Sequence, residues 1–119
     1  MATGRREMTA AEAALVGKWG VFRTSWGGGL ALGQIVKFTA QRVYTARRMN
    51  PTPRERSDLL AVFETEADAG RAAQAYDTAY RAGQDDVKRT LTAYSAAKIA
   101  QTAGAETAAV VGSLPLPPA

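Results

Sequence analysis

The side chains best suited to chemistry in this chain of 119 residues are cations interleaved with aromatics. Lys37, Arg42 and Tyr44 alternate along "VKFTAQRVYT", Arg23 and Trp26 stand close by in "RTSWGGGL", and "RRMNPTPRER" adds Arg47, Arg48, Arg54 and Arg56. Cations neutralise phosphates and aromatic faces stack on bases, so this combination suits a nucleic acid. An acidic protein surface fits the same cations, and a solvated sheet face carrying one exposed tyrosine is the plainest alternative. The charge is also unevenly spread: the net is +4, yet residues 1–63 hold ten Lys or Arg against four Asp or Glu, and residues 64–119 hold five against seven. Such a split places a basic region in the first half, facing an acidic partner or water.

Two other groupings resolve into structure. Gly27, Gly28 and Gly29 invite comparison with a phosphate-binding loop, but such loops need a helix directly after them and a Lys-Ser/Thr pair or spaced glycines. A strand follows here, so the run reads as a turn between strands. Asp77, Asp85 and Asp86 could hold magnesium, but Asp85 and Asp86 are adjacent where a helix begins, and an N-terminus favours negative charge without any metal. No metal and no other cofactor is expected.

The chain contains no Cys and no His. That excludes disulfides, thiol nucleophiles, thiolate zinc sites, imidazole ligands and Ser-His or Cys-His machinery. Only carboxylate, Lys, Tyr or magnesium chemistry survives, and the expectation is a protein that is not an enzyme. The opening "MATGRREM" has an arginine pair but no apolar core of signal length after it, and no apolar run is long enough to span a bilayer. A cytoplasmic protein with no membrane partner is expected.

The elements that must position these residues fall into four parts. Residues 1–17 hold a short helix, opened by Thr9 with Glu12 three residues on as a capping box and closed by Gly17. Residues 18–64 are β-rich: "KWGVFRTS", "LALGQIVKFT", "QRVYTAR" and "DLLAVFE" read as strands, while the two prolines of "RRMNPTPRER" make residues 47–56 a loop. A tight turn at Ala40-Gln41 sets Phe38 opposite Val43, Lys37 opposite Tyr44 and Val36 opposite Thr45. Alternation then sends Leu30, Leu32, Val36, Phe38 and Val43 to the core, and Lys37, Thr39, Arg42 and Tyr44 to the surface.

Residues 65–104 read as a helical hairpin. Thr65 and Asp68 repeat the cap pattern, and Ala69, Ala73, Tyr76 and Tyr80 form one stripe ending near Gly83. Asp85 caps a second helix whose face carries Val87, Leu91, Tyr94 and Lys98 and which fades near Gly104. Residues 105–119, ending "GSLPLPPA", read as a flexible proline-rich tail.

The run "VGKWGVFRTSWGGGLALGQIVKFTAQRVYT" resembles the opening strands of small SH3-like barrels of the KOW-like kind, with Gly33-Gln34-Ile35-Val36 in the place of their "G-x-V" strand. The resemblance covers residues 17–63. It implies an SH3-like antiparallel sheet or barrel, and RNA or ribosome binding, with a triple glycine where the family has one loop glycine. The whole chain is also similar in style to small accessory proteins of bacteriophages and prophages, whose compartment would be the cytoplasm of an infected host.

The expected architecture is α+β: a small SH3-like sheet or barrel followed by a helical hairpin. Two functional classes fit it. One is a non-enzymatic nucleic-acid-binding module using Arg23, Trp26, Lys37, Arg42, Tyr44 and the arginine loop. The other is a protein-interaction module, such as a phage-encoded host modulator or assembly factor, using Tyr76, Tyr80, Leu91 and Tyr94 to bind a partner or a second copy of itself. Fold analogy does not choose between them.

Overall fold

The computed structural model describes residues 8–24, 29–46, 51–84 and 86–115. Thr9 closes the expected capping box, its hydroxyl accepting from the Glu12 amide at 3.0 Å while Glu12 Oε1 accepts from the Thr9 amide at 3.0 Å. The helix that follows, α1 (Ala10–Leu15), buries Glu12 and Leu15. Then β1 (Trp19–Arg23), β2 (Leu30–Phe38), β3 (Arg42–Thr45) and β4 (Thr52–Glu55) run as an antiparallel meander. A 3₁₀ turn (Arg56–Asp58) leads into β5 (Leu59–Phe63), which returns beside β1 to give the order β4-β3-β2-β1-β5. The α+β class is as expected: a five-stranded antiparallel sheet, not closed, with helices packed on it.

The segment expected to be a loop up to Arg56 contains β4. Proline is tolerated there because β4 is an edge strand, where one side of the ladder needs no donor. Pro53 pairs with Tyr44 at that edge.

The Ala40-Gln41 turn forms, with the Thr39 amide donating to the Arg42 carbonyl at 2.9 Å, and it sets Phe38 opposite Val43 and Lys37 opposite Tyr44. Beyond that point the register slips, and Ile35, not Val36, faces Thr45. A bulge at Val36 accounts for the slip, because one unpaired residue reverses the alternation for everything upstream. Ile35, Phe38 and Val43 therefore share the inner core, Val36 is 37% exposed, and Leu30 and Leu32 pack on the opposite cluster. Assigning Leu30, Leu32 and Val36 to the face of Phe38 fails for this one reason.

A second bulge lies in β5. Val21 faces Ala61 but Phe22 faces Leu59, so Leu60 is the extra residue. Leu59 and Val62 consequently join Phe22 in the inner cluster, while Ala61 and Phe63 join Val21 in the outer one, and every residue of β5 is buried. The Thr92 hydroxyl, itself buried, donates to the Leu60 carbonyl at 2.6 Å, tying a helix to the irregularity. Replacing Thr92 with Val keeps the shape and leaves that carbonyl without its donor. The expected loss is about 1–3 kcal/mol in urea unfolding with an unchanged slope, and a neutral result would show that the bond carries no stability.

Helices cover both faces. In α2 (Glu66–Arg81), capped by the Thr65 hydroxyl accepting from the Asp68 amide at 3.1 Å, Ala69 and Ala72 are buried and Ala73, Tyr76 and Tyr80 pack half-buried against the outer cluster. In α3 (Asp86–Ala103), the buried line is Val87, Leu91, Ser95 and Ile99, not the expected Val87, Leu91, Tyr94 and Lys98. Leu91 belongs to the outer cluster and Ile99 to the inner one, so the helix crosses between them along i+4 steps. Tyr94 and Lys98 are left outside. Gly104, at φ 91°, permits a break that a side chain would resist, and α4 (Ala105–Gly112) follows where a flexible tail was expected. Val111 and Leu114 anchor it in the inner core. The tail beyond residue 115 and the chain before Met8 lie outside the described residues, as does Asp85, the expected cap of α3.

Lys18 and Thr102 fix the ends of this assembly through one carboxylate. Glu64, just after β5, accepts from Lys18 Nζ at 2.8 Å and from the Thr102 hydroxyl in the last turn of α3. The Lys18 hydrogen bond, then that of Thr102, hold its pKa below the ordinary value against a smaller opposing effect of burial. A lowered folded pKa means stability that is present above the unfolded value, about 4.3, and is lost as pH falls through the folded value. Glu64→Gln should therefore be less stable than the parent at neutral pH by less than about 1 kcal/mol, with the difference closing as pH drops below about 4. A gap that stays constant down to the acid transition would contradict the assignment.

Candidate nucleic-acid interface

The end of β1 and the start of β2 set one wall of the site. Thr24 donates from its amide to the Gly29 carbonyl at 3.4 Å and from its hydroxyl at 3.1 Å, closing a hairpin whose last strand pair is Arg23 and Leu30. The glycine run thus joins two strands, as expected; Gly27 and Gly28, with Trp26, lie outside the described residues. Asp77 on α2 accepts from the Leu30 amide at 3.1 Å and is paired with Arg81 at 2.8 Å, so the last turns of α2 hold the hairpin in place. Asp77 thus clamps the hairpin to α2; among the described residues no group of three or more His, Cys, Asp or Glu side chains that could hold a metal ion occurs.

The opposite wall comes from β4 and the 3₁₀ turn. Together these elements enclose a cleft of about 420 Å³ lined by Arg23, Thr24, Ala31, Arg42, Pro53, Arg54, Glu55 and Asp58. The topology brings together three of the arginines singled out in the sequence. Arg23 donates from Nε and Nη2 to Asp58 Oδ1 at 3.1 and 2.9 Å. Arg42 donates from Nη1 to Glu55 at 2.6 Å across the β3–β4 ladder. Arg54 forms no ion pair among the described residues; its guanidinium lies over the Phe22 ring, 5.0 Å from the centroid, and its Nε is buried without a hydrogen-bond partner.

The remaining candidates separate. Lys37 lies over the Tyr44 ring at 4.7 Å, and both stand on the face of β2 and β3 opposite to Phe38 and Val43, as expected. Lys37 is exposed and Tyr44 half-buried. Arg47 and Arg48 lie outside the described residues. Arg56 is not at the surface. It is 4% exposed and donates from Nη1 to Glu12 Oε2 at 3.0 Å and to the Thr39 carbonyl at 2.8 Å. It joins the 3₁₀ turn to α1 and to the β2–β3 turn, and burial removes it from the binding set.

The helical candidates divide in the same way. Leu91 is fully buried against the sheet, Tyr76 and Tyr80 are half-buried on it, and Tyr94 is 43% exposed. Tyr94 packs on Phe63 and Tyr76 with centroids 5.9 and 6.5 Å apart, and Lys98 lies 5.8 Å from its ring. Burial holds the Tyr80 phenol above its ordinary pKa, with the Arg23 charge lowering it and the Asp58 charge raising it.

Comparison with known proteins found no match: no family model, no curated protein and no solved structure. The residues of the cleft must be read on their own chemistry.

The arginines of the cleft are chemically able to bind an anion. A guanidinium is a planar fork that fits phosphate or carboxylate oxygens with two parallel hydrogen bonds. Glu55, Asp58 and Phe22 were absent from the sequence-based set. The two carboxylates were detectable, since "PRERSD" sets them among the arginines. The contact of Phe22 with Arg54 joins residues on distant strands and leaves no local signal. A second cavity, of about 520 Å³, is lined by Lys88, Arg89, Thr92, Leu114 and Pro115, where the Thr92 hydroxyl is already engaged inside the fold.

Proposed function

We propose that this protein is a non-enzymatic binding module whose ligand is a nucleic acid, held by the sheet face of Lys37, Arg42 and Tyr44 and by the adjoining cleft. The observation that carries this reading is the convergence of Arg23, Arg42 and Arg54 on one cleft, with Lys37 and Tyr44 stacked on the neighbouring strand surface. Cationic side chains would follow the phosphates, and the Tyr44 face would stack on a base. The open sheet is read as SH3-like, of the KOW-like kind; support comes from the four-strand meander, the 3₁₀ turn and a last strand returning beside the first. The module acts in the cytoplasm; among the described residues no helix is long and apolar enough to cross a membrane.

The test is fluorescence anisotropy of short labelled DNA and RNA strands across a salt series. Each phosphate contact removed should reduce the slope of log affinity against log salt by about 0.7 for a single strand, so Lys37→Ala should bind more weakly and with the shallower slope. A second reading, a protein-interaction module of the phage-accessory kind, is favoured by Tyr94, exposed beside Tyr76 and Lys98 on the α2–α3 surface. Light scattering over a concentration series tests its simplest form, self-association: a mass that rises for the parent and not for Tyr94→Ser supports it, and a constant monomer mass removes it.

A further inference from the structure

We propose that the cleft between the β1–β2 hairpin and β4 is a subsite for one phosphodiester group, with Arg54 as its anchor. The proposal rests on the nucleic-acid reading for the strand that carries the phosphate, and assigns to the cleft a task distinct from stacking on Tyr44.

The charge balance is the first argument. Three arginines and two carboxylates line the cleft, and each carboxylate is engaged by one arginine, Asp58 by Arg23 and Glu55 by Arg42. One positive charge is left over, on Arg54. A phosphodiester carries one negative charge, so it neutralises the cleft without displacing either ion pair. A phosphate monoester, with nearly two charges, leaves an excess that faces Glu55 and Asp58.

The state of Arg54 itself points the same way. Its Nε is out of contact with solvent and has no acceptor, a condition rare enough in native proteins to mark a strained or functional position. The Phe22 ring beneath the guanidinium fixes its plane while supplying no hydrogen bond. A short displacement of the guanidinium toward the cleft lets a phosphate oxygen accept from Nε and from an adjacent Nη, the side-on fork of an arginine–phosphate pair. Ala31 and Pro53 add apolar surface to the walls.

The test follows the arginine Nε–Hε resonances of the ¹⁵N-labelled full chain while a short single-stranded oligonucleotide, inorganic phosphate or a nucleoside monophosphate is added. A saturable shift of the Arg54 resonance with the oligonucleotide, larger than with either small anion, supports the subsite. Arg54→Lys keeps a charge and an aliphatic stem but loses the fork, and should weaken oligonucleotide binding about tenfold. Replacing the bridging phosphates with uncharged methylphosphonates should weaken parent binding and abolish the difference between parent and Arg54→Lys.

If the oligonucleotide binds while the Arg54 resonance stays still and Arg54→Lys binds like the parent, the subsite is refuted and the sheet-face reading stands. If the monophosphate shifts Arg54 and the oligonucleotide does not bind, the diester assignment and the strand-binding reading both fall. The resonance is read on the parent protein, so the result holds whether or not the variant folds.

Discussion

Arg56→Met should lose about 3 kcal/mol or more of folding stability, the largest effect expected of any single polar substitution among the described residues. Arg56 is 4% exposed and so is Glu12, and their ion pair joins the 3₁₀ turn to α1 over a separation of 44 residues. The same nitrogen also donates to the Thr39 carbonyl at 2.8 Å. Methionine fills the volume but removes the cation that faces the Glu12 carboxylate, whose desolvation is then no longer offset by that charge, and it removes the donor from a main-chain acceptor as well. Breaking one side of a buried pair is far more damaging than replacing both sides with apolar groups. The double variant Glu12→Leu/Arg56→Met should therefore be more stable than Arg56→Met, although it also loses the Glu12 half of the capping box. Urea unfolding checks both; a loss under about 1 kcal/mol for Arg56→Met, the scale of a surface pair, would show that the pair is not buried in solution.

Phe22→Ala should lose about 3–5 kcal/mol. The ring is fully buried in the inner cluster with Ile35, Leu59 and Val62, and the surroundings cannot close over the space it leaves. Gly20 sits next to the ring: a Cβ added there would lie 2.8 Å from Phe22 Cε1, so the strand backbone already touches the aromatic edge. Gly33, paired with Gly20, is as close to Thr45, where a Cβ would lie 2.7 Å from Cγ2. With backbone on two strands packed directly on side chains, relaxation into the cavity is limited, and the upper part of the range is expected. Phe22→Leu, which retains most of the volume, should lose about 1–2 kcal/mol and serves as the folded comparison. Because Phe22 also supports Arg54, this milder variant should weaken oligonucleotide binding through Arg54 while leaving Lys37 and Tyr44 unchanged. A loss below about 2 kcal/mol for Phe22→Ala would place the ring outside the core.

These two residues mark the boundary of what could be read from the sequence. The Thr9 capping box, the Thr65 cap, the Ala40-Gln41 turn, the strand pairs nearest to that turn and the two long helices depend on neighbours within four residues, and they were legible. The bulges at Val36 and Leu60 were not, because an unpaired residue is set by what the partner strand and the helices demand. Each bulge reverses a face, so a single missed residue misplaced Leu30, Leu32 and Val36 together. Helix α4 escaped notice because its anchors, Val111 and Leu114, gain their meaning only from the inner core they complete.

The candidate site shows the same division. Clustering of arginines in sequence was informative for Arg23, Arg42 and Arg54, which converge on the cleft. It misled for Arg56, two residues from Arg54, because the 3₁₀ turn sends that side chain inward to Glu12. Lys37 and Tyr44 met expectation since strand alternation near a tight turn is local. Leu91 did not serve as an exposed helix face, because the sheet claims it first.

The most direct measurement is the salt dependence of binding to a short labelled single strand, made on the parent chain and on Lys37→Ala from about 50 to about 200 mM salt. Expected are binding that falls steeply as salt rises and a slope shallower by about 0.7 in the variant. No binding at the lowest salt, or binding whose slope is the same in both proteins, would contradict a nucleic-acid interface on this sheet face.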